Sequence, residues 1–509
     1  MSDVIVISRE HNPFPFTNIW RDADGLAHYQ GVPATLIDML AEQVQTRPDA
    51  EGVVELGAGR LTYRQLWDRA ARVAGGLRAQ GLRDGDRVTL RYPAGLDWVL
   101  AFWGTVMAGG IAVAVNTRSS QPEIEFVLAD ADARIDLAPQ TPLPDGKPYV
   151  AQGLQAGDVA ALFYTSGTTG HPKGVPTTHE AFVTNVENAV RGRAGMREAA
   201  EEMRTLITVP LFHVTGCNVQ LLAPVRIGGA AVIMPALDLG GLLTAIAAER
   251  ISFMVTVPAI YALMLRNPGF ADADVSSVRW VAYGGAPIAP ALVLALKKAF
   301  PTAKVSNAYG MTEGSSIMTV LPDEDAVDHA DSVGYAVPTV DIGYLPLSGD
   351  EPGVGELVVR GVTITSGYWR RPDATEAAFV DGWLRTGDVV RVDDAGRIYI
   401  VDRIKDIINR GGENVSSVAV EAALLSAPNV LDACVLAVPD EVMGEKVGAV
   451  LVGENIDIDA VIEHCREALA DYEVPQFITI TDVALPRNAG GKLLKGALRG
   501  QVSWGPALR

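Results

Sequence analysis

Phe163-Tyr164-Thr165-Ser166-Gly167-Thr168-Thr169-Gly170-His171-Pro172-Lys173-Gly174 follows the apolar run Val159 to Leu162. It holds three glycines, four Ser/Thr hydroxyls and one lysine. Glycines let a ligand approach the backbone closely, hydroxyls and N–H groups donate, and the lysine supplies a mobile cation, a combination that suits a polyphosphate. The segment is not a Walker loop, because Gly174 rather than Ser or Thr follows Lys173 and the four-residue gap between glycines is missing. A plain flexible turn has no need of Pro-Lys-Gly behind Ser-Gly-Thr-Thr-Gly.

On both sides of this loop the chain alternates helical patterns with short β-branched runs at βα spacing. Leu66 to Gln80 and Leu96 to Ala108 read as helices, and Asp86 to Tyr92 and Ile111 to Val115 as strands. The rhythm returns at Leu206 to Pro210, Ala230 to Met234, Phe253 to Val257, Val278 to Tyr283 and Lys304 to Ala308, each run apolar and closed by a turn residue. This predicts an α/β fold with buried strands covered by helices. From Gly353 the runs become Gly-punctuated and alternating (Glu356 to Arg360, Val389 to Val392, Arg397 to Val401), as in a small antiparallel or barrel-like subdomain. A boundary is expected at 402–406, dividing an N-terminal domain over 1–401 from a small α+β domain over 407–509. Within the latter, Ser417 to Ser426 and Ile458 to Leu469 read as helices and Ala433 to Val438 and Val447 to Val452 as strands.

Composition narrows the function. Over 509 residues, 48% are hydrophobic and 20% charged, the make-up of a globular chain long enough for two or more domains. Lys+Arg number 42 against 61 Asp+Glu, a net charge of −19, which repels phosphate backbones and anionic lipids; nucleic acid is not expected as a partner. Cys217, Cys434 and Cys465 stand far apart, so neither a zinc site nor a disulfide framework is expected and a reducing, cytoplasmic setting fits. No signal peptide is expected, and Val99 to Asn116, a long uncharged run, is broken by Gly109-Gly110 short of a membrane span.

Five further motifs follow the loop in order: Tyr309-Gly310-Met311-Thr312-Glu313, Arg385-Thr386-Gly387-Asp388, Asp402-Arg403-Ile404-Lys405-Asp406, Gly411-Gly412-Glu413-Asn414, and Leu485-Pro486-Arg487-Asn488-Ala489-Gly490-Gly491-Lys492. Read alone, Glu313 offers a hard oxygen to Mg²⁺, Asp388 can accept from both hydroxyls of a ribose, and Lys492 ends a flexible loop able to deliver a cation to developing charge. Gly284-Gly285-Ala286-Pro287 lets a nucleotide base approach the backbone, or serves as a plain tight turn.

From about Thr35 to Leu498 the sequence resembles the adenylate-forming superfamily of acyl-CoA synthetases, peptide-synthetase adenylation domains and firefly-type luciferases. The resemblance implies a large N-terminal domain of two α/β subdomains plus a small β-barrel, hinged to a mobile C-terminal α+β domain. It implies that Lys492 is the adenylation lysine and that Glu313 holds Mg²⁺. Thr312 is expected at a phosphate, Tyr309 against the adenine, and Asp388 on the ribose with Arg403 nearby. Thr165, Ser166, Gly167, Thr168, Thr169, Gly170, Lys173, Gly284 to Pro287 and Asn307 complete the nucleotide-binding set. Lys405 takes the hinge position, Gly411 and Gly412 meet the pantetheine arm of CoA, and His213 lies at the acyl pocket beside the reacting carboxylate. Amino-acid-activating members carry an aspartate near that position, so α-amino acids are disfavoured. Val214 to Ala223, Thr256 to Tyr261 and Tyr283 to Pro287 contain no charge, which points to an apolar or aryl monocarboxylate unless they are merely core strands.

The expected activity is that of an acid:thiol ligase: carboxylate and Mg·ATP give acyl-AMP and pyrophosphate, then CoA displaces AMP. An amine or carrier-protein acceptor is the alternative, and an acyl- or nucleotide-sensing pseudoenzyme a remote one that intact Lys492, Glu313 and Asp388 disfavour. Met1 to Gly31 has no clear counterpart in the family and is expected to be a surface strap or part of a homodimer contact.

Overall fold

The computed structural model describes residues 4–165, 172–347, 352–411, 413–487 and 493–508. The chain forms two compact units, a larger one over 8–342 and 359–384 and a smaller one over 1–7, 343–358 and 385–509.

In the larger unit the helix and strand patterns of the sequence become two sheets. One runs in the order Ser332–Ala336, Ser316–Leu321, Lys304–Met311, Trp280–Gly284, Phe253–Thr256, Arg204–Ile207, Ala230–Ile233, Glu51–Glu55, Gly59–Thr62. Its six central strands are parallel. The second is the parallel set Ala133–Leu137, Arg87–Leu90, Ile111–Ala114, Val159–Thr165, closed by antiparallel Lys173–Thr178. Phe253–Thr256 and Ala230–Ile233 are buried at every residue. Strands covered on both faces need such unbroken apolar runs. Leu206, Val232, Leu242, Ile246, Tyr261, Val281 and Leu296 join in one core cluster, where each fully buried large side chain contributes about 1.5–3 kcal/mol. The helix expected from Leu66 begins at Tyr63, because Thr62 caps it and Gln65 closes a capping box.

Residues 9–32 strap onto this unit. Arg9 Nη1 donates to Pro338 O at 2.9 Å, Asn12 Nδ2 to Ala336 O at 2.8 Å, and Tyr29 OH to Asn188 Oδ1 at 2.7 Å. Arg21 grips Asp341 through both oxygens at 2.8 Å. The strap half of the expectation for the N-terminus is therefore met.

In the smaller unit, residues 388–392 of the strand Trp383–Val392 pair antiparallel with Ile398–Arg403 in a hairpin. Beyond it, Glu413–Val415, Ile408–Arg410, Gly444–Gly453 and Val430–Asp440 make an antiparallel sheet, and Phe477–Ile480 adds in parallel to Gly444–Gly453. Helices Ser417–Ser426 and Ile458–Ala468 bury Val420, Leu424, Val461, Ile462 and Cys465 against it. The fold is mixed α/β with a large N-terminal domain and a separate C-terminal one. The three cysteines are free and buried. Among the described residues no helix is long and apolar enough to cross a membrane.

Candidate active site

The two strands flanking the quoted loop pair antiparallel, with Thr165 opposite Lys173. Ser166, Gly167, Thr168, Thr169, Gly170 and His171 lie outside the described residues. A Cβ at Gly174 would stand 3.1 Å from both Trp369 and the Tyr164 ring, a tight fit that favours glycine. Its carbonyl accepts from Trp369 N at 2.8 Å, which seats the Gly367-Tyr368-Trp369 segment beside the hairpin. Lys173 Nζ consequently lies 4.7 Å from the Tyr368 ring centroid, within cation–π range. The Tyr368 hydroxyl donates to Glu313 Oε1 at 2.8 Å. Burial, followed by the neighbouring Glu313 carboxylate, raises the Tyr368 pKa above the ordinary phenol value, so the hydroxyl is a neutral donor at physiological pH.

Glu313 sits in a single 3₁₀ turn, Thr312–Gly314, and is only 6% exposed. The turn is fastened from several sides. Asn185 Nδ2 donates to Gly314 O at 3.1 Å and Ile317 O at 2.9 Å, Ser315 Oγ to Thr363 O at 2.7 Å, Thr365 N to Glu313 O at 2.8 Å, and Asn218 Nδ2 to Ser315 O. Ser315 and Ser316 hold φ of 58° and 120°. Non-glycine residues persist there only where the surroundings over-determine them, and such positions cluster at functional sites. Two residues before the turn, a Cβ on Gly310 would fall 1.5 Å from Ser316 O.

The neighbouring parallel strand ends at Gly284, whose Cβ would meet Ala308 O at 2.3 Å, and Gly285 follows at φ +76°. Gly284–Pro287, Tyr309 and Glu313 thus gather at the carboxyl ends of adjacent strands, where open α/β sheets bind ligands. Asn307 is on the same strand as Tyr309, but its side-chain amide donates to Ser332 O at 2.9 Å and serves the sheet.

His213 precedes a π-helical stretch, Thr215–Leu222, an irregularity frequent at functional sites. A Cβ on Gly216 would come within 2.3 Å of Pro210 O, so only glycine allows this tight return. His213 Nε2 is buried with no hydrogen-bond partner among the described residues. Burial, aided by the Arg118 cation, lowers the His213 pKa to about 4, leaving the imidazole neutral. Arg118 belongs to none of the uncharged segments expected to line the acyl pocket, yet its charge reaches His213.

The remaining candidates belong to the smaller unit. Asp388 is 4% exposed and pairs with Arg403, Oδ1 to Nε at 3.0 Å, across register-matched strands. Gly387 reaches φ +72°, and Asp388 N donates to Thr386 Oγ1 at 3.1 Å. Asp402 Oδ1 accepts from Arg403 N at 2.6 Å, and its other oxygen accepts from Ser417 N at 2.5 Å at the start of the helix Ser417–Ser426. Lys405 lies in the following turn, its carbonyl accepting from Arg499 Nη2 at 2.9 Å. Gly411 holds φ +64° and donates to Met443 O at 2.7 Å. Gly412 and Lys492 lie outside the described residues; an antiparallel bridge pairs the flanking Arg487 and Leu493.

These residues fit a magnesium nucleotide. Glu313 is a buried hard-oxygen donor fixed by its turn, and among the described residues His213 Nε2 has no partner. Tyr368 and Arg118 were missed in the sequence. The only signal for Tyr368 is the Gly-Tyr-Trp run, and none marks Arg118.

Comparison with known proteins agrees. Residues 40–150 and 136–369 match the AMP-binding enzyme family, and residues 419–492 match the AMP-binding enzyme C-terminal domain. A long-chain-fatty-acid–CoA ligase of Mycobacterium tuberculosis is 34% identical over 500 residues, covering 91% of this chain and 98% of that protein. A feruloyl-CoA synthase of an Amycolatopsis species is 35% identical over 474 residues, covering 88% and 95%. The solved o-succinylbenzoate CoA synthetase of Bacillus subtilis, in complex with ATP and magnesium ion, superposes with TM-score 0.82 at 28% identity, covering 91% of this chain and 99% of that chain.

Proposed function

We propose, for a chain that belongs to the AMP-binding enzyme family of AMP-forming CoA ligases, that it activates an apolar or aryl monocarboxylate with ATP and passes the acyl group to CoA. The observation that carries this reading is the fastened turn that presents buried Glu313 beside Tyr368 and Lys173. A free carboxylate is a poor electrophile, and joining it to AMP supplies a good leaving group. Glu313 would hold Mg²⁺, which when bound neutralises charge on the phosphate oxygens. Lys173, Thr165 and Thr312 bind the phosphates, the Gly284–Pro287 turn and Tyr309 take the adenine, and Asp388 orients the ribose with Arg403. His213, neutral and with Nε2 open, donates to the reacting carboxylate, and the Arg118 charge favours that carboxylate's ionised form. Lys492 stabilises charge developing between carboxylate and α-phosphate. Gly411 and Gly412 then receive the pantetheine thiol after the C-terminal domain turns about Lys405.

Pyrophosphate release across long-chain, aryl, dicarboxylic and α-amino acids, with and without CoA, tests this. Pyrophosphate is expected without CoA, thioester only with it, and the highest kcat/KM for a monocarboxylate. Malonate or an amino acid as best substrate refutes the pocket reading, because burying an extra unpaired charge costs several kcal/mol. A thioester formed without acyl-AMP refutes the chemistry.

A further inference from the structure

Away from the motifs, the larger unit holds a cavity of about 820 Å³ between the N-terminal strap, the end of the helix His179–Arg191 and the starts of the strands Trp280–Gly284 and Lys304–Met311. Arg193 lines it and is only 4% exposed. Its Nη1 donates to Ala189 O at 2.8 Å, and its guanidinium carbon stands 5.2 Å from the Phe253 ring centroid. Nε and Nη2 are buried and have no hydrogen-bond partner among the described residues. These two nitrogens form one edge of the guanidinium plane, the side-on fork that matches the two oxygens of a carboxylate or phosphate. Ser306 Oγ, on the same cavity wall, is likewise buried and unpartnered among the described residues.

The surroundings favour an anion. Arg191, Arg197 and Arg226 also line the cavity and share the single buried carboxylate of Glu187 at 2.8, 2.6 and 3.0 Å. Asp323 is occupied by Lys297, and Glu198 and Glu324 are exposed to water. Burial lowers the Arg193 pKa to about 10, which leaves it charged at physiological pH. A buried cation with a free fork is costly unless something completes it. The alternative, an arginine that merely caps the helix end, accounts for Nη1 and leaves the fork edge unexplained.

We propose that this cavity is a second binding site, for a small molecule carrying an oxyanion head, with the Nε/Nη2 edge of Arg193 and the Ser306 hydroxyl as its donors. The guanidinium turns its free edge into the cavity to meet the ligand, and because residues 13–18 and 30–32 form one wall, occupancy tightens the strap.

Hydrogen exchange of the full chain, read by mass spectrometry while inorganic phosphate or octanoate is titrated at roughly millimolar levels, locates binding separately from the nucleotide site. Slowed exchange is expected in peptides covering 13–32 and 190–198. Protection by phosphate alone assigns a phosphate head, and by octanoate alone a carboxylate. In Arg193→Lys, which keeps the charge and removes the fork, the titration midpoint should rise at least ~10-fold; Arg193→Met should abolish the protection, and Ser306→Ala should weaken it. If Arg193→Met does not fold, the other two variants decide. No protection of these peptides by either anion, or unchanged midpoints in Arg193→Lys and Ser306→Ala, overturns the proposal.

Discussion

Replacing Tyr368 with Phe isolates one contact in the site. The variant keeps the aromatic face under Lys173 Nζ at 4.7 Å and deletes only the hydroxyl that donates to Glu313 Oε1 at 2.8 Å. Glu313 is 6% exposed, so water does not readily replace the lost donor. A hydrogen bond to a charged group is worth about 1.5–3 kcal/mol, which at about 1.4 kcal/mol per decade corresponds to roughly 10- to 100-fold. Removing a partner that orients a metal ligand has the same size of effect. The free Mg²⁺ giving half-maximal pyrophosphate release should therefore rise by ~10- to 100-fold, with circular dichroism unchanged. The assay is a Mg²⁺ titration of carboxylate-dependent pyrophosphate release at saturating ATP. If folded Tyr368→Phe shows the wild-type Mg²⁺ dependence and rate, Tyr368 does not orient Glu313 and the metal assignment loses its structural support.

Three further outcomes are expected. Gly310→Ala places a Cβ 1.5 Å from Ser316 O; the displaced turn should lower adenylation by at least ~10², and near-normal rates in this variant would contradict the turn's role. His179 and His213 both have pKa values lowered to about 4 by burial, whereas the unfolded chain binds those protons near about 6.5. Their contribution to stability is thus complete above about pH 6.5 and is lost as pH falls toward 4. The urea midpoint should drop over that window, and His179→Gln, which still offers an acceptor to Leu36 N, should flatten part of the slope; an unchanged slope would oppose the assignment. Lys405→Pro fixes φ near roughly −65° and should spare adenylation while lowering transfer to CoA by at least ~10²; equal losses in both half-reactions, or the same behaviour in Lys405→Ala, would remove Lys405 as the hinge.

Local patterns made much of this molecule legible in its sequence. The helix Ser417–Ser426 matches its expected bounds because Ser416 caps it and Pro428 stands just beyond. The strand expected over Lys304 to Ala308 runs on to Met311, however. Its Gly-Met-Thr-Glu continuation looks like a turn, and what keeps it extended is pairing with Ser316–Leu321 around a bulge at Tyr309/Gly310. The π-helical stretch after His213 leaves no periodic signature, since the packing of buried Asn218 and Gln220 sets its winding. Tyr368 reaches Glu313 across 55 residues of sequence, and the Arg118 charge acts on His213 from another sheet's loop. Such contacts are tertiary, and single-sequence patterns carry no record of them. The Arg193 cavity was illegible for the same reason, its walls coming from the strap, a helix end and two strands.

Two half-reactions separated by one lysine are the centre of the proposed mechanism. Lys492→Ala, assayed for carboxylate-dependent pyrophosphate release and, separately, for thioester formation from supplied acyl-AMP and CoA, tests it directly. Adenylation should fall by at least ~10² because a cation at the developing charge is removed, while thioester formation persists at near the wild-type rate. A folded variant that adenylates normally, or one that loses both steps equally, contradicts the account.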